Sequence, residues 1–168
     1  MTVRIAIAGA GLIGKRHLDA LAANDSTEIA SIVDPAPAAQ EQAERFGVPL
    51  FPDLESMLAA DKPDGLIIAS PNQLHETMAT TAIEAGLPIL LEKPATDTLE
   101  AGERLIATAD ALDARILVGH HRTHSAVMSV CREVVQSGRL GDIVAVNGTA
   151  LFYKPDDYYP IAPWRTQP

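Results

Sequence analysis

The sequence predicts an α/β fold with a doubly wound parallel sheet, and two observations support this prediction. Short apolar runs rich in β-branched residues alternate with helical patterns of roughly 10–15 residues, which is typical of parallel strands joined by right-handed crossovers. The first apolar run, Val3–Ala8, also leads directly into Gly9, Gly11 and Gly14, and a helical pattern follows. A strand, a glycine-rich turn and a helix in this order are typical of the first unit of such a sheet.

The length and composition of the chain limit its organisation. At 168 residues it makes one full domain, or one domain with part of another. Its apolar content of 47% and charged content of 21% are ordinary for a globular α/β protein, and its net charge of −9 argues against nucleic acid or an anionic membrane as a partner. The chain shows no signal peptide and no apolar run near the ~20 residues that span a bilayer, so we expect a cytoplasmic protein.

Six strands are predicted because six runs are short, apolar and bounded by glycine, proline or polar residues. They are Val3–Ala8, Ile29–Val33, Val48–Phe51, Gly65–Ala69, Pro88–Leu91 and Arg115–Val118. Runs that are apolar throughout predict strands that are covered on both faces of the sheet.

The stretches between these strands predict five helices, and residues that favour helix ends support their bounds. Gly47 is placed to end the second helix, Asp53 to cap the start of the third, and Asp97 or Thr98 to cap the start of the fifth. The predicted helices are Lys15–Ala23, Ala38–Phe46, Leu54–Ala60, Gln73–Ala85 and Leu99–Ala111.

The pattern changes after Gly119. A sixth helix is predicted over Ser125–Gln136, with Met128 at a core position and Cys131 as a buried thiol that has no disulfide partner. The alternating segment Ile143–Tyr153 predicts a longer strand with one exposed face.

The glycine-rich turn predicts a dinucleotide site. The first glycine permits the tight turn, the second lets the backbone approach a pyrophosphate, and the third lets helix and strand pack closely, while the start of the helix attracts the phosphates. Asp34 ends the second strand about 20 residues further on, where its carboxylate can accept hydrogen bonds from a ribose. The turn residues expected to contact the cofactor are Gly9, Gly11, Leu12, Ile13 and Gly14.

The residues around Asp34 favour NAD over NADP. Its carboxylate would repel a 2′-phosphate, and Pro35-Ala36-Pro37 follows it where an NADP site would carry an arginine. Lys15 and Arg16 lie close enough in the sequence to leave NADP as the alternative.

Ligands of doubly wound sheets bind outside the carboxyl ends of the strands, which also selects Ser70–Asn72, Glu92–Pro94 and Gly119–Arg122. Lys93 is the most informative of these residues, because a lysine near a nicotinamide can exchange a proton with a substrate hydroxyl. An ion pair between Lys93 and Glu92 in solvent is an equally good interpretation of the sequence alone.

Four motifs together resemble the Gfo/Idh/MocA oxidoreductase family: GAGLIG at 9–14, SPNQLH at 70–75, LEKP at 91–94 and VGHHRTH at 118–124. The resemblance implies a Rossmann domain over residues 1–120, followed by an α/β substrate and oligomerisation domain of which residues 121–168 are the N-terminal part. It implies hydride transfer between NAD(P) and a hydroxyl carbon of a sugar, cyclitol or related diol. It also implies a homo-oligomer when the second domain is complete.

The resemblance also implies roles for individual residues. Lys93 would be the catalytic lysine, with Glu92 positioning the nicotinamide end of the cofactor and Pro94 fixing the turn. Residues implied on the cofactor side are Ser70, Pro71, Asn72, His75, Arg122, Trp164 and Arg165. The Asp-x-x-x-His pair that family enzymes carry in the second domain is not found, so we expect a truncated chain that binds cofactor but lacks half of the catalytic residues.

The four remaining histidines and two other functions complete the interpretation. His120, His121 and His124 lack a zinc-site spacing, and we expect hydrogen-bonding residues there and no metal. His17 is expected at the helix–sheet interface, with direct cofactor contact as the alternative. The other functions are a non-catalytic dinucleotide-binding sensor, scaffold or inactive fragment, and an enzyme that uses tightly held NAD as a transient redox aid.

Overall fold

A six-stranded, fully parallel sheet forms the first part of the structure, a computed structural model that describes residues 2–156. The strands are β1 Val3–Ala8, β2 Thr27–Val33, β3 Leu50–Phe51, β4 Gly65–Ile68, β5 Ile89–Leu91 and β6 Ile116–Val118. Their order is β3-β2-β1-β4-β5-β6. The chain therefore reverses direction across the sheet between β1 and β4, which is the doubly wound arrangement that the sequence predicts.

Within residues 2–156, six α-helices connect or follow the strands. They are α1 Leu12–Ala22, α2 Gln40–Phe46, α3 Leu54–Ala60, α4 His75–Glu84, α5 Leu99–Leu112 and α6 Ala126–Gln136. Short 3₁₀ turns precede three of them, over Pro37–Ala39, Asn72–Leu74 and His121–His124. The first helix begins three residues earlier than predicted, because Gly11 already occupies the N-cap position.

The two faces of the sheet bury two separate apolar clusters. On one face, Ile7 and Ile32 of adjacent strands pack against Leu18 of α1, and all three are fully buried. On the other face, strand residues such as Ile68 pack against Met57 of α3 and the helices α4 and α5. Full burial of one such large side chain contributes roughly 1.5–3 kcal/mol. Because both faces are covered at the centre of the sheet, residues 6–8 of β1 and all four residues of β4 can be both apolar and buried.

Side chains and glycine at the helix ends act as the sequence predicts. The Asp53 carboxylate accepts a hydrogen bond from the Ser56 N–H at 2.8 Å, and Gly47 ends α2 with a φ of 67°. Of the two candidates for α5, Thr98 is the cap: its hydroxyl accepts from the Ala101 N–H at 3.2 Å.

The chain forms two compact units, Met1–His120 and His121–Pro168. In the second unit, Ser125 caps α6, but the strand predicted over Ile143–Tyr153 does not form. A strand requires a hydrogen-bonded neighbour, and the described residues 121–156 supply none for this segment. The predicted burial of Met128 and Cys131 is also wrong: Met128 is 42% exposed and Cys131 is exposed, because the described part of this unit places no packing layer over them.

Across residues 2–156, the helices are all too short or too polar to cross a lipid bilayer.

Candidate functional site

The turn between β1 and α1 has a geometry that depends on its glycines. Gly9 has a φ of 97°, and a Cβ there would lie 2.7 Å from backbone atoms of Ala69 and Ser70. A Cβ on Gly14 would lie 1.8 Å from the Gly9 carbonyl oxygen. Gly11 is different, since a Cβ there would meet nothing within 4 Å. The first and third glycines are thus required for packing, and the second leaves open space at the start of α1.

Asp34 follows β2, and both of its carboxylate oxygens accept backbone hydrogen bonds, one of them from the glycine-rich turn. Oδ2 accepts from the Ala10 N–H at 2.8 Å, and Oδ1 accepts from the Ala36 N–H at 2.8 Å. The side chain is therefore held beside the glycine-rich turn in one orientation. Next to it lies an open pocket of about 460 Å³, and none of its seven lining residues is basic. They are Asp34, Pro35, Ala36, Pro37, Gln40, Leu50 and Pro52.

His75 joins the segments that follow β4 and β5. Its ring is 1% exposed, with Nδ1 2.8 Å from the Pro94 carbonyl oxygen and Nε2 3.0 Å from the Ser70 carbonyl oxygen. Carbonyl oxygens only accept, so the ring nitrogen that carries a proton is the donor, and the tautomer decides which carbonyl receives the hydrogen bond. The ring packs between Ser70 and Pro94, whose peptide bond with Lys93 is cis. In the same segment the Oδ1 atom of Asn72 is buried and has no hydrogen-bond partner among the described residues.

Glu92 ends β5 with a carboxylate that has two partners. Its Oε1 atom lies 3.0 Å from Nε2 of His17 on α1, and its Oε2 atom accepts from the Lys93 N–H at 3.1 Å. Gly119, after β6, leaves room for this carboxylate, because a Cβ there would lie 3.2 Å from it. The Lys93 side chain is exposed, and no ion pair within residues 2–156 involves it. The ion pair between Lys93 and Glu92, the alternative that the sequence allowed, therefore does not form.

Most of the predicted site residues lie at the carboxyl edge of the sheet in the first unit. These are Gly9, Gly11, Leu12, Ile13, Gly14, Asp34, Ser70, Pro71, Asn72, His75, Glu92 and Lys93. Arg122 belongs to the second unit, where its guanidinium lies 5.0 Å from the centre of the Phe152 ring. Trp164 and Arg165 lie outside the described residues. Within residues 2–156, no three His, Cys, Asp or Glu side chains are arranged to hold a metal ion.

For His17 the sequence left two alternatives, a place at the helix–sheet interface and direct contact with the cofactor. His17 lies one helical turn after Gly14, on the side of α1 that faces the sheet, which is the only sequence signal for its contact with Glu92. The partner, 75 residues away in the chain, becomes apparent only when β1 and β5 are placed in one sheet.

Comparison with known proteins identifies the family. Residues 3–120 match the family model described as the Gfo/Idh/MocA oxidoreductase family with an NAD-binding Rossmann fold. The chain belongs to this family. Its first unit is therefore an NAD-binding domain, as the four motifs and the glycine-rich turn predict.

Curated relatives of this family member include two sugar or cyclitol dehydrogenases. An inositol 2-dehydrogenase of Corynebacterium glutamicum is 36% identical over 151 residues, which cover 88% of this chain and 45% of that protein. A D-glucoside 3-dehydrogenase of Escherichia coli K12 is 32% identical, covering 89% of this chain and 43% of that protein. The chain spans about half the length of the curated relatives it matches.

Solved structures show the same relationship. The WlbA dehydrogenase of Bordetella pertussis, crystallised with NADH and UDP-GlcNAcA, matches 98% of this chain and 51% of its own, with a TM-score of 0.92 and 30% identity. A scyllo-inositol dehydrogenase of Lactobacillus casei, crystallised with NAD(H) and scyllo-inositol, matches 84% of this chain and 43% of its own, with a TM-score of 0.80 and 25% identity.

Proposed function

We propose that this chain is the cofactor-binding half of an NAD-dependent oxidoreductase acting on a hydroxyl carbon of a sugar, cyclitol or related diol. The observation that carries the proposal is the position of Lys93. Its amine is exposed and without an ion-pair partner in residues 2–156, at the same sheet edge as the glycine-rich turn and Asp34. A bound nicotinamide supplies the hydride acceptor or donor in this chemistry.

The cofactor would be held by the turn and by Asp34. The open space at Gly11 lies at the start of α1, where free N–H groups and the helix dipole favour a pyrophosphate. The pocket beside Asp34 has the position expected for the adenosine end of the cofactor. Its lack of basic lining residues supports a free ribose 2′-hydroxyl over a 2′-phosphate, and hence NAD over NADP.

Lys93 would move the proton that accompanies the hydride. During oxidation the Lys93 amine would take up the proton of the substrate hydroxyl, and during reduction it would return that proton, while the hydride would be exchanged with the bound cofactor. Glu92 and His75 hold the backbone on either side of this residue. The unpaired Asn72 Oδ1 atom is a candidate acceptor for a cofactor group.

Other parts of the site are proposed from the family resemblance. Arg122, Trp164 and Arg165 would line the active site in the complete enzyme, and residues 121–168 would begin the substrate and oligomerisation domain. The named relatives act on inositol or a glucoside, and one structural neighbour was crystallised with a sugar nucleotide. A substrate panel therefore needs cyclitols, glucosides and UDP-sugar acids.

Replacement of Lys93 by methionine tests the proposal. In the complete protein we expect K93M to lower NADH formation from the best substrate of the panel by about 10²–10⁴-fold, because the proton acceptor is lost. We expect NADH affinity, followed by nicotinamide fluorescence, to change by less than about twofold. The matched control is K62M, since Lys62 is exposed but precedes β4, at the opposite edge of the sheet.

Two results would count against the proposal. Full turnover by K93M would contradict the catalytic role of Lys93. NADH binding by the wild-type protein without turnover of any panel substrate would favour the non-catalytic dinucleotide-binding protein instead.

A further inference from the structure

The contact between His17 and Glu92 joins two segments that the proposed function uses separately. His17 lies in the second turn of α1, the helix whose start would face the pyrophosphate. Glu92 immediately precedes Lys93 at the end of β5. The Nε2–Oε1 distance of 3.0 Å is a good hydrogen bond, and because a carboxylate only accepts, the imidazole Nε2–H donates.

The Glu92 carboxylate transmits this contact to Lys93. Its second oxygen accepts from the Lys93 backbone N–H at 3.1 Å, so His17 and the Lys93 backbone are bound by the two oxygens of one group. Gly119 leaves room for the carboxylate in this position, since a Cβ there would lie 3.2 Å from it. On the far side of Lys93, the Pro94 carbonyl is held by His75. A change at His17 should therefore reach the Lys93 backbone through the Glu92 carboxylate.

Burial distinguishes this pair from ion pairs on the surface of the molecule. The exposed fractions of the His17 and Glu92 side chains are 22% and 12%, whereas Asp19 and Arg45, the ion pair between α1 and α2, are 54% and 53% exposed. Exposed pairs contribute little because water screens them and long side chains lose entropy, while a hydrogen bond to a charged group away from water contributes more.

We propose that His17 is a positioning residue that acts through Glu92: it fixes the backbone of Lys93 relative to the glycine-rich turn. The hydrogen bond between His17 and Glu92 would then fix the position of Lys93, after β5, relative to a cofactor bound at the start of α1. The catalytic meaning of this role rests on the proposed function, but the mechanical link between His17, Glu92 and the Lys93 backbone does not.

The test measures hydrogen exchange of the Lys93 amide by NMR, together with NADH affinity. In H17L we expect the Lys93 amide to exchange at least about 10-fold faster, because the carboxylate that protects it is no longer held. In H17Q, whose side-chain amide can still donate, we expect exchange within about threefold of wild type. The control D19L removes the exposed ion pair of the same helix and should leave Lys93 exchange unchanged.

A double-mutant cycle separates this role from direct contact with the cofactor. If His17 acts through Glu92, then in an E92A background H17L should change Lys93 exchange and NADH affinity by less than about twofold. An equal loss of NADH affinity from H17L in both backgrounds would overturn the proposal in favour of direct contact. Unchanged Lys93 exchange in H17L would overturn it as well.

Two further outcomes keep the test decisive. If E92A does not fold, the comparison of H17L with H17Q decides. Equally faster exchange of the Lys93 amide in both variants would contradict the proposal, because the glutamine N–H should still bind Glu92 and protect that amide. If the wild-type protein binds no NADH, the proposed function fails, whereas the exchange measurements still support or overturn the link from His17 to Lys93.

Discussion

At the scale of single residues, the three glycines of the turn have different physical tasks. Gly14 lies so close to the Gly9 carbonyl that no side chain fits, whereas Gly11 faces open space and has a φ of −70°, which any residue adopts. A glycine in open space with an ordinary backbone has no structural need to be glycine. Its small size instead suits the close approach of a ligand, which is the place of the pyrophosphate in our proposal.

The substitutions G11A and G14A should therefore separate binding from folding. We expect G11A to retain the wild-type melting temperature within about 2 °C and to lose at least about 10-fold in NADH affinity, because its Cβ occupies ligand space. We expect G14A to unfold at a clearly lower temperature, because its Cβ overlaps a backbone oxygen. Thermal melts and NADH fluorescence titrations measure both. Wild-type NADH affinity in G11A would contradict the proposal that the open space at Gly11 holds the pyrophosphate.

The site residues differ in how far the sequence could predict them. The spacing of the glycines and the acid at the end of β2 predict their places because each motif is local. The contacts of Asp34 with the Ala10 and Ala36 N–H groups, and of Glu92 with His17, join residues far apart or depend on side-chain rotamers. Such partners follow from the packing of the whole sheet, which the local sequence does not contain.

At the scale of elements, helix ends are well specified by single side chains. Asp53 is the clearest case, because its carboxylate accepts from the Ser56 N–H in the first turn of α3. Hydrogen bonding of the ionised form with the Ser56 side chain, and then with the Ser56 N–H, lowers the pKa of Asp53 from its ordinary value of 3.8. The carboxyl group therefore stabilises the fold above its unfolded-state pKa, and the contribution is lost as the pH falls through the folded-state pKa.

Substitution of Asp53 by asparagine should remove this pH dependence while keeping a cap, since asparagine caps helices about as well as aspartate. Above about pH 5 we expect the difference in unfolding free energy between wild type and D53N to be constant. As the pH falls below about 4, the wild-type protein should lose stability relative to D53N. Urea unfolding at a series of pH values measures this difference. Parallel curves down to pH 2 would contradict the assigned role of the carboxylate.

Elements that depend on distant partners are less well predicted. The six parallel strands pair with one another within residues 2–120, and their apolar runs predict them correctly. The segment Ile143–Tyr153 has an alternating pattern but forms no strand among the described residues, with Val144 94% and Val146 89% exposed. An alternating pattern shows that a strand could bury one face, and only a neighbouring strand or layer makes it do so.

At the scale of the whole molecule, four short motifs in the right order predict the family, and the match over residues 3–120 confirms it. Glycine-rich turns alone are common, but their combination with the motifs after β4, β5 and β6 is specific. These motifs do not predict the substrate or the oligomeric state, because the chain spans about half the length of its relatives. The predicted homo-oligomer and the identity of the polyol or sugar substrate stay predictions.

The measurement that tests the central claim most directly is calorimetric titration of this chain with NAD⁺ and, separately, with NADP⁺. If the glycine-rich turn and Asp34 form the cofactor site, NAD⁺ should bind at least about 10-fold more tightly than NADP⁺, because the fixed carboxylate repels a 2′-phosphate. Tighter binding of NADP⁺ would contradict the role of Asp34, and failure to bind either dinucleotide would contradict the site itself.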